Sequence, residues 1–97
     1  MGRFALTAIM AGAVFAGTST VASAADPDFC RDYARAAVSQ YRQAMEHGRC
    51  REQAQGARWS PDWPNHYNWC LGVHRDQAWG ERNARTDMLQ HCTHHDW

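Results

Sequence analysis

Two segments of the chain carry apolar residues at intervals of three and four, the spacing of one face of an amphipathic helix. The first segment extends from Phe29 to Met45. Pro27 and Asp28 stand at its start, where Asp28 is placed to cap free backbone N–H groups. Gly48, just beyond its end, suits the left-handed conformation that terminates many helices. The pattern therefore predicts a first helix that ends shortly before Gly48.

The second segment predicts a helix over 66–91, capped by Asn65. Gly72 and Gly80 weaken this helix, because glycine costs roughly 1 kcal/mol relative to alanine in a helix interior. A break near Gly80, which would give three helices, is the main alternative. The predicted inward stripe consists of Cys70, Val73, Gln77, Glu81, Ala84, Met88 and Cys92, flanked by Trp69 and Leu89. The fold class that follows is all-α, a small antiparallel helical hairpin.

Four cysteines, Cys30, Cys50, Cys70 and Cys92, are predicted to form two disulfides. Their even spacing lacks the short paired intervals of a zinc site and the C-x-x-C motif of redox or haem sites. In a continuous second helix, Cys70 and Cys92 lie about 33 Å apart along the axis. A disulfide spans only about 4.4–6.8 Å between Cα atoms, so these two cannot bond. An antiparallel hairpin then gives the nested pairs Cys30–Cys92 and Cys50–Cys70.

This nested ladder resembles the disulfide-stapled hairpins of the α-hairpinin and twin-cysteine helical families. Those families carry C-x3-C or C-x9-C pairs, and the corresponding gaps in this chain are much longer. The resemblance is therefore limited to the ladder, and no residue or activity is carried over from it.

The first 24 residues are typical of a cleavable signal peptide. Arg3 is followed by an apolar run over 4–17, and the triplet Ala22-Ser23-Ala24 places the cut before Ala25. The apolar run is shorter than the ~20 residues that a membrane-spanning helix needs, so a membrane anchor is the weaker interpretation. We expect a single exported domain over 25–97, periplasmic or secreted, without stable membrane insertion.

Composition excludes several functional classes. Ten arginines are balanced by ten acidic residues, and a clustered basic face for nucleic acid is not seen in the sequence. Ser60 has no G-x-S-x-G context, and Glu81 with Arg85 is more simply a helix salt bridge than an acid–base pair. Arg58 is a further partner for Glu81 across the hairpin, in a buried ion pair. The sequence therefore predicts no catalytic residues, no cofactor and no nucleic-acid partner.

The most promising segment for function is 58–70, which contains three of the five tryptophans. Trp63, between Asp62 and Pro64, is predicted to be the most exposed of them. Trp59 and Trp69 are predicted to pack in the core over the Cys50–Cys70 bond. The predicted contact surface for a protein or envelope glycan consists of Asp62, Trp63, His66 and Tyr67. The sequence thus favours a non-catalytic binding or accessory module of the cell envelope.

Two alternative functions remain open. His91, His94, His95 and Asp96 cluster near the end of the chain, and imidazoles with a carboxylate suit Zn²⁺, Cu²⁺ or Ni²⁺. They favour a periplasmic transition-metal-binding protein. A secreted inhibitor or antimicrobial hairpin is the other alternative, although the near-zero net charge weighs against it. The six histidines are expected to be mostly exposed, so that stability changes little with mild acid.

Overall fold

The computed structural model describes residues 24–94, in which all regular structure is helical. The predicted all-α class is confirmed. The predicted signal peptide lies outside the described residues apart from Ala24, and His95 and Asp96 lie outside them as well. The elements are α1 (Pro27–Met45), α2 (Gly48–Gln53), a 3-10 turn (Ala57–Trp59), α3 (Trp63–Leu71) and α4 (Arg75–His94).

Helix α1 is the amphipathic helix that the spacing predicts, but its caps differ. Asp26, not Asp28, is the N-cap, and its carboxylate accepts a hydrogen bond from the Phe29 N–H at 2.8 Å. Asp28 pairs instead with Arg31. Gly48 begins α2 and has no left-handed backbone conformation. The buried face of α1 consists of Cys30, Tyr33, Ala34, Ala37, Gln40 and Ala44.

The prediction of a continuous second helix is wrong, and so is the alternative prediction of a break near Gly80. The chain breaks at 72–74, between α3 and α4, and Gly80 lies inside α4. Gly72 ends α3, and the His74 N–H donates to the Gln77 Oε1 atom at 3.2 Å. A glutamine that reaches back to the backbone N–H three residues before it is half of a capping box. These contacts start a new helix in a new direction.

Helix α4 runs in the same direction as α1. Near the start of α1, the Phe29 ring meets the Trp79 ring with centroids 6.1 Å apart. Midway along, the Gln40 side chain donates to the Thr86 hydroxyl at 2.9 Å. Residue numbers in the two helices therefore increase together. The segment that returns to the start of α1 is 48–74, and both α3 and α4 pack on α1.

The two disulfides join Cys30 to Cys70 and Cys50 to Cys92, with Cα–Cα distances of 5.6 Å and 5.1 Å. The bonds are interleaved, so the predicted nested pairs Cys30–Cys92 and Cys50–Cys70 are wrong. The break at 72–74 is the physical reason, because it leaves the end of α3 at the start of α1 and the end of α4 beside α2. Cys70 and Cys92 are not bonded to each other, as predicted. All four cysteines are disulfide-bonded, which is typical of proteins that fold outside the reducing cytoplasm.

Each disulfide lies within one of two apolar clusters. The first cluster consists of Ala25, Cys30, Tyr33, Cys70 and Ala78. The second consists of Ala44, Cys50, Trp59, Leu89 and Cys92. Four of the ten residues in these two clusters are therefore disulfide-bonded cysteines. No helix within residues 24–94 has the length and apolar character needed to cross a bilayer.

Candidate functional site

Helix α3 carries a stacked pair of aromatic rings. The rings of Trp63 and Tyr67, one helical turn apart, have centroids 4.7 Å apart and planes inclined by 15°. The helix starts at Trp63, earlier than predicted, because Pro64 fits the first turn of a helix, where its missing N–H costs nothing. The Asn65 amide donates to the Ser60 hydroxyl at 3.2 Å and to the Asp62 carboxylate at 3.4 Å. These bonds fix the loop that leads into the helix.

Two of the four predicted contact residues are exposed, and a third, Tyr67, packs partly against the first apolar cluster. Asp62 and Trp63 are exposed, with 36% of Trp63 accessible, and Tyr67 is half-buried. His66 is only 4% exposed and lies on the inner face of α3 with Cys70. We call Asp62, Trp63 and Tyr67 the aromatic surface, and His66 does not belong to it.

The other two tryptophans of this segment differ from each other. Trp59 is 6% exposed, as predicted, but it packs in the cluster that holds Cys50 and Cys92. Trp69, predicted to lie in the core, is 40% exposed. Its ring lies against Tyr33, with centroids 5.7 Å apart. The core prediction for Trp69 is therefore wrong, and so is the prediction that Trp63 is the most exposed of the three.

Arg85, on α4, is fully buried at 0% exposure. Its Nε donates to the Gln40 side-chain oxygen at 2.7 Å, and its Nη1 donates to the Arg58 carbonyl at 3.1 Å. The guanidinium carbon lies 5.1 Å from the centroid of the Tyr33 ring, in the arrangement of a cation–π contact. The Nη2 atom has no hydrogen-bond partner among the described residues. Buried polar atoms are nearly always partnered, so this one requires an explanation.

Glu81 pairs with Arg58 and not with Arg85. The Arg58 guanidinium donates to both Glu81 carboxylate oxygens, at 2.7 Å and 3.1 Å. These hydrogen bonds hold the pKa of Glu81 below its ordinary value and raise the pKa of Arg58. The sequence predicts this Arg58–Glu81 pair as buried, but both side chains are partly exposed. The Glu81–Arg85 helix salt bridge does not form in the described structure.

A cavity of about 350 Å³ lies beside the buried guanidinium. Its wall includes the rings of Tyr33, His66 and Trp69, the amides of Asn65 and Asn68, and Arg85. The elements that build it are α1, the loop before α3, α3 itself and α4. We call it the Arg85 cavity. The sequence does not predict this cavity, because Arg85 has the pattern of an ordinary exposed helix charge.

His66 lies in the wall of this cavity with its imidazole buried. Its Nε2 donates to the Ser60 carbonyl at 2.8 Å. Burial lowers the pKa of His66, and the nearby Arg85 charge lowers it further, although the Ser60 carbonyl partly opposes the shift. The expectation that mild acid has little effect on stability therefore needs revision.

We expect the stability of the folded chain to fall as the pH drops below about 6.5, because His66 binds a proton more readily in the unfolded state. Above that pH both states are neutral and the effect is absent. His66→Gln keeps a donor for the Ser60 carbonyl but does not titrate. The free energy of unfolding is measured by urea denaturation between about pH 5 and 8, the range in which histidine titrates. Its dependence on pH should be shallower for H66Q than for the wild type. The exposed control H74Q should keep the wild-type dependence. Equal slopes in the wild type and H66Q would contradict this assignment.

The predicted metal cluster is only partly described. His91 and His94 lie in the last turn of α4 and are exposed. His95 and Asp96 lie outside the described residues. Within 24–94, no group of three or more histidine, cysteine or carboxylate side chains is placed to hold a metal ion. Metal binding by the full cluster stays a prediction.

The residues described define a small all-α domain with two interleaved disulfides. Comparison of the chain with known protein families, with curated proteins and with solved structures finds no match. Inference about function therefore starts from two features of the chain itself, the aromatic surface and the Arg85 cavity.

Proposed function

We propose that the protein is a small exported binding or accessory module of the cell envelope, which contacts a protein or glycan through the aromatic surface. The observation that carries the proposal is the Trp63–Tyr67 stack on the solvent side of α3. Flat rings held at an exposed position supply apolar contact area, and stacking area for sugar rings. Aromatic residues of this kind are enriched among those that dominate binding energies.

The aromatic surface is held in place before any partner arrives. The Cys30–Cys70 bond ties the last turn of α3 to α1. At the other end of α3, the Asn65 amide bridges Ser60 and Asp62. A side chain that is already ordered loses less conformational entropy on binding, so more of the contact energy is retained as affinity.

Binding fits this surface better than catalysis does. It carries two aromatic rings and the carboxylate of Asp62, and it contains no nucleophile beside a general base. All four cysteines are bonded, so none supplies a thiolate. The proposed role is therefore recognition, with Asp62 adding a hydrogen-bond acceptor at the edge of the rings.

Trp63→Ala tests the proposal. The disulfide-bonded chain is mixed with isolated cell-wall glycan and, separately, with immobilised envelope proteins of the producing organism, and the bound fraction is measured. We expect W63A to weaken binding to one of these by about tenfold or more, the effect of losing a hot-spot side chain, with little change in melting temperature. Trp79→Ala is the matched control, because Trp79 is also exposed and lies on α4. Equal binding by W63A and the wild type, or an equal loss in W79A, would refute the proposal.

A further inference from the structure

Arg85 forms no direct salt bridge in the described structure, although its charge helps to lower the pKa of the nearby Glu81. Both neighbours that accept its hydrogen bonds, Gln40 and the Arg58 carbonyl, are neutral. Glu81 already pairs with Arg58. Burial raises the pKa of Tyr33, although the Arg85 guanidinium beside it partly opposes the shift, so the Tyr33 hydroxyl is neutral as well. A buried cation without a direct ion pair is costly, and an anion bound beside Arg85 would offset that cost.

The Arg85 cavity limits what that anion can be. Apart from Arg85, its charged side chain is Arg58, which Glu81 neutralises. One guanidinium with an unpartnered nitrogen suits a single negative charge, and a guanidinium matches the planar geometry of a carboxylate. The rings of Tyr33 and Trp69 line the rest of the space and suit an apolar or aromatic body.

We propose that the Arg85 cavity binds the carboxylate of an apolar or aromatic molecule, with Arg85 as the anion-binding group. The Asn68 amide lies in the same wall and is a donor for the second carboxylate oxygen, whereas the Asn65 amide already donates to Ser60 and Asp62. The Nη2 atom is closed to bulk water, so neighbouring side chains must shift when a ligand reaches it. Exclusion of water also strengthens the ion pair once it forms. This proposal does not depend on the aromatic surface.

The carboxylate can come from a free acid or from the end of a protein chain, and matched probes separate these sources. The first pair is benzoate and its neutral analogue benzamide. The second pair is a short peptide ending in phenylalanine, with a free or an amidated C-terminus. Inorganic phosphate tests for general anion binding. Affinities are measured by calorimetry on the disulfide-bonded chain, and NMR follows the Arg85 Nε–H signal.

We expect at least one carboxylate to bind the wild type tenfold or more tightly than its amide twin, and to shift the Arg85 signal. Arg85→Met, of similar length without the charge, should lose this preference. Arg82→Met is the control, because Arg82 lies on the same helix but does not line the Arg85 cavity. R82M and W63A should both bind the carboxylate like the wild type. If R85M fails to fold, the NMR comparison of acid and amide on the wild type still decides.

Three results would overturn the proposal. The first is that neither carboxylate binds more tightly than its amide analogue. The second is that folded R85M keeps the preference for the carboxylate. The third is that phosphate binds more tightly than both acids. Preference for benzoate identifies a free acid as the ligand class. Preference for the peptide acid identifies a protein terminus, and both of these outcomes support the proposal.

Discussion

Full reduction of the two disulfides is expected to unfold the domain. The bonds close loops with sequence separations of 40 and 42 residues. Loops of that length restrict the unfolded chain by about 4 kcal/mol each. The total stability of a domain this small is on the order of 5–10 kcal/mol, so loss of both bonds removes most of it. Circular dichroism melting with and without reductant measures the effect.

Two pairs of variants separate the contributions of the bonds. Cys30→Ala with Cys70→Ala removes one bond, and Cys50→Ala with Cys92→Ala removes the other. Because the loops are nearly equal in length, each pair should destabilise the fold by a similar amount. Peptide mapping of the unreduced chain should recover Cys30 linked to Cys70. An unchanged melting temperature after full reduction would show that the apolar core suffices alone.

The first helix could be predicted from the sequence, and the path after it could not. Apolar residues at the spacing of one helix face form most of the buried face of α1, from Cys30 to Ala44, and the polar Gln40 is buried with them. Beyond Gly72, the predicted stripe assumes a single helical register. The three residues 72–74 reset that register and reverse the chain. The local signal is Gln77, three residues after His74, which periodicity alone assigns to a helix interior.

The disulfide pairing depends on that same turn. Cys70 and Cys92 are indeed not bonded, but the predicted separation of about 33 Å assumes a continuous helix, and that helix is broken at 72–74. The choice between the two remaining connectivities requires the direction of α4 relative to α1, which spacing between cysteines does not contain. A turn of a few residues decides it, because it determines whether Cys92 returns to Cys30 or continues to Cys50.

The buried faces of α3 and α4 include His66 and Arg85, whose residue types are less often buried than apolar ones. Cys70 must point inward to reach Cys30, and His66, one turn earlier, then points inward as well. On α4, the buried residues are Ala78, Arg85, Leu89 and Cys92, a regular helical spacing. The predicted positions Gln77, Ala84 and Met88 each lie one residue before a buried one, so Arg85 falls outside the predicted stripe. The candidate ligand site is missed for that reason.

Trp59→Ala is expected to cost about 3–5 kcal/mol of the free energy of unfolding, the range for loss of a buried large aromatic side chain. Trp59 is 6% exposed and packs with Leu89 in the cluster around the Cys50–Cys92 bond. Its removal leaves a void that a disulfide-bonded frame cannot easily close. The substitution should also affect Arg85, because the Arg85 Nη1 donates a hydrogen bond to the backbone carbonyl of Arg58, the residue before Trp59.

Trp69→Ala is the matched comparison, because the same side chain is removed from a position that is 40% exposed. Trp69 rests against Tyr33 on one side, so its loss should cost about 1 kcal/mol, the scale of a single aromatic contact. Urea denaturation of the oxidised variants measures both free energies. A cost for W69A equal to that for W59A would place Trp69 in the core and remove its ring from the wall of the Arg85 cavity. A large cost for W59A alone would show that Trp59, and not Trp69, is the tryptophan of this segment that packs in the core.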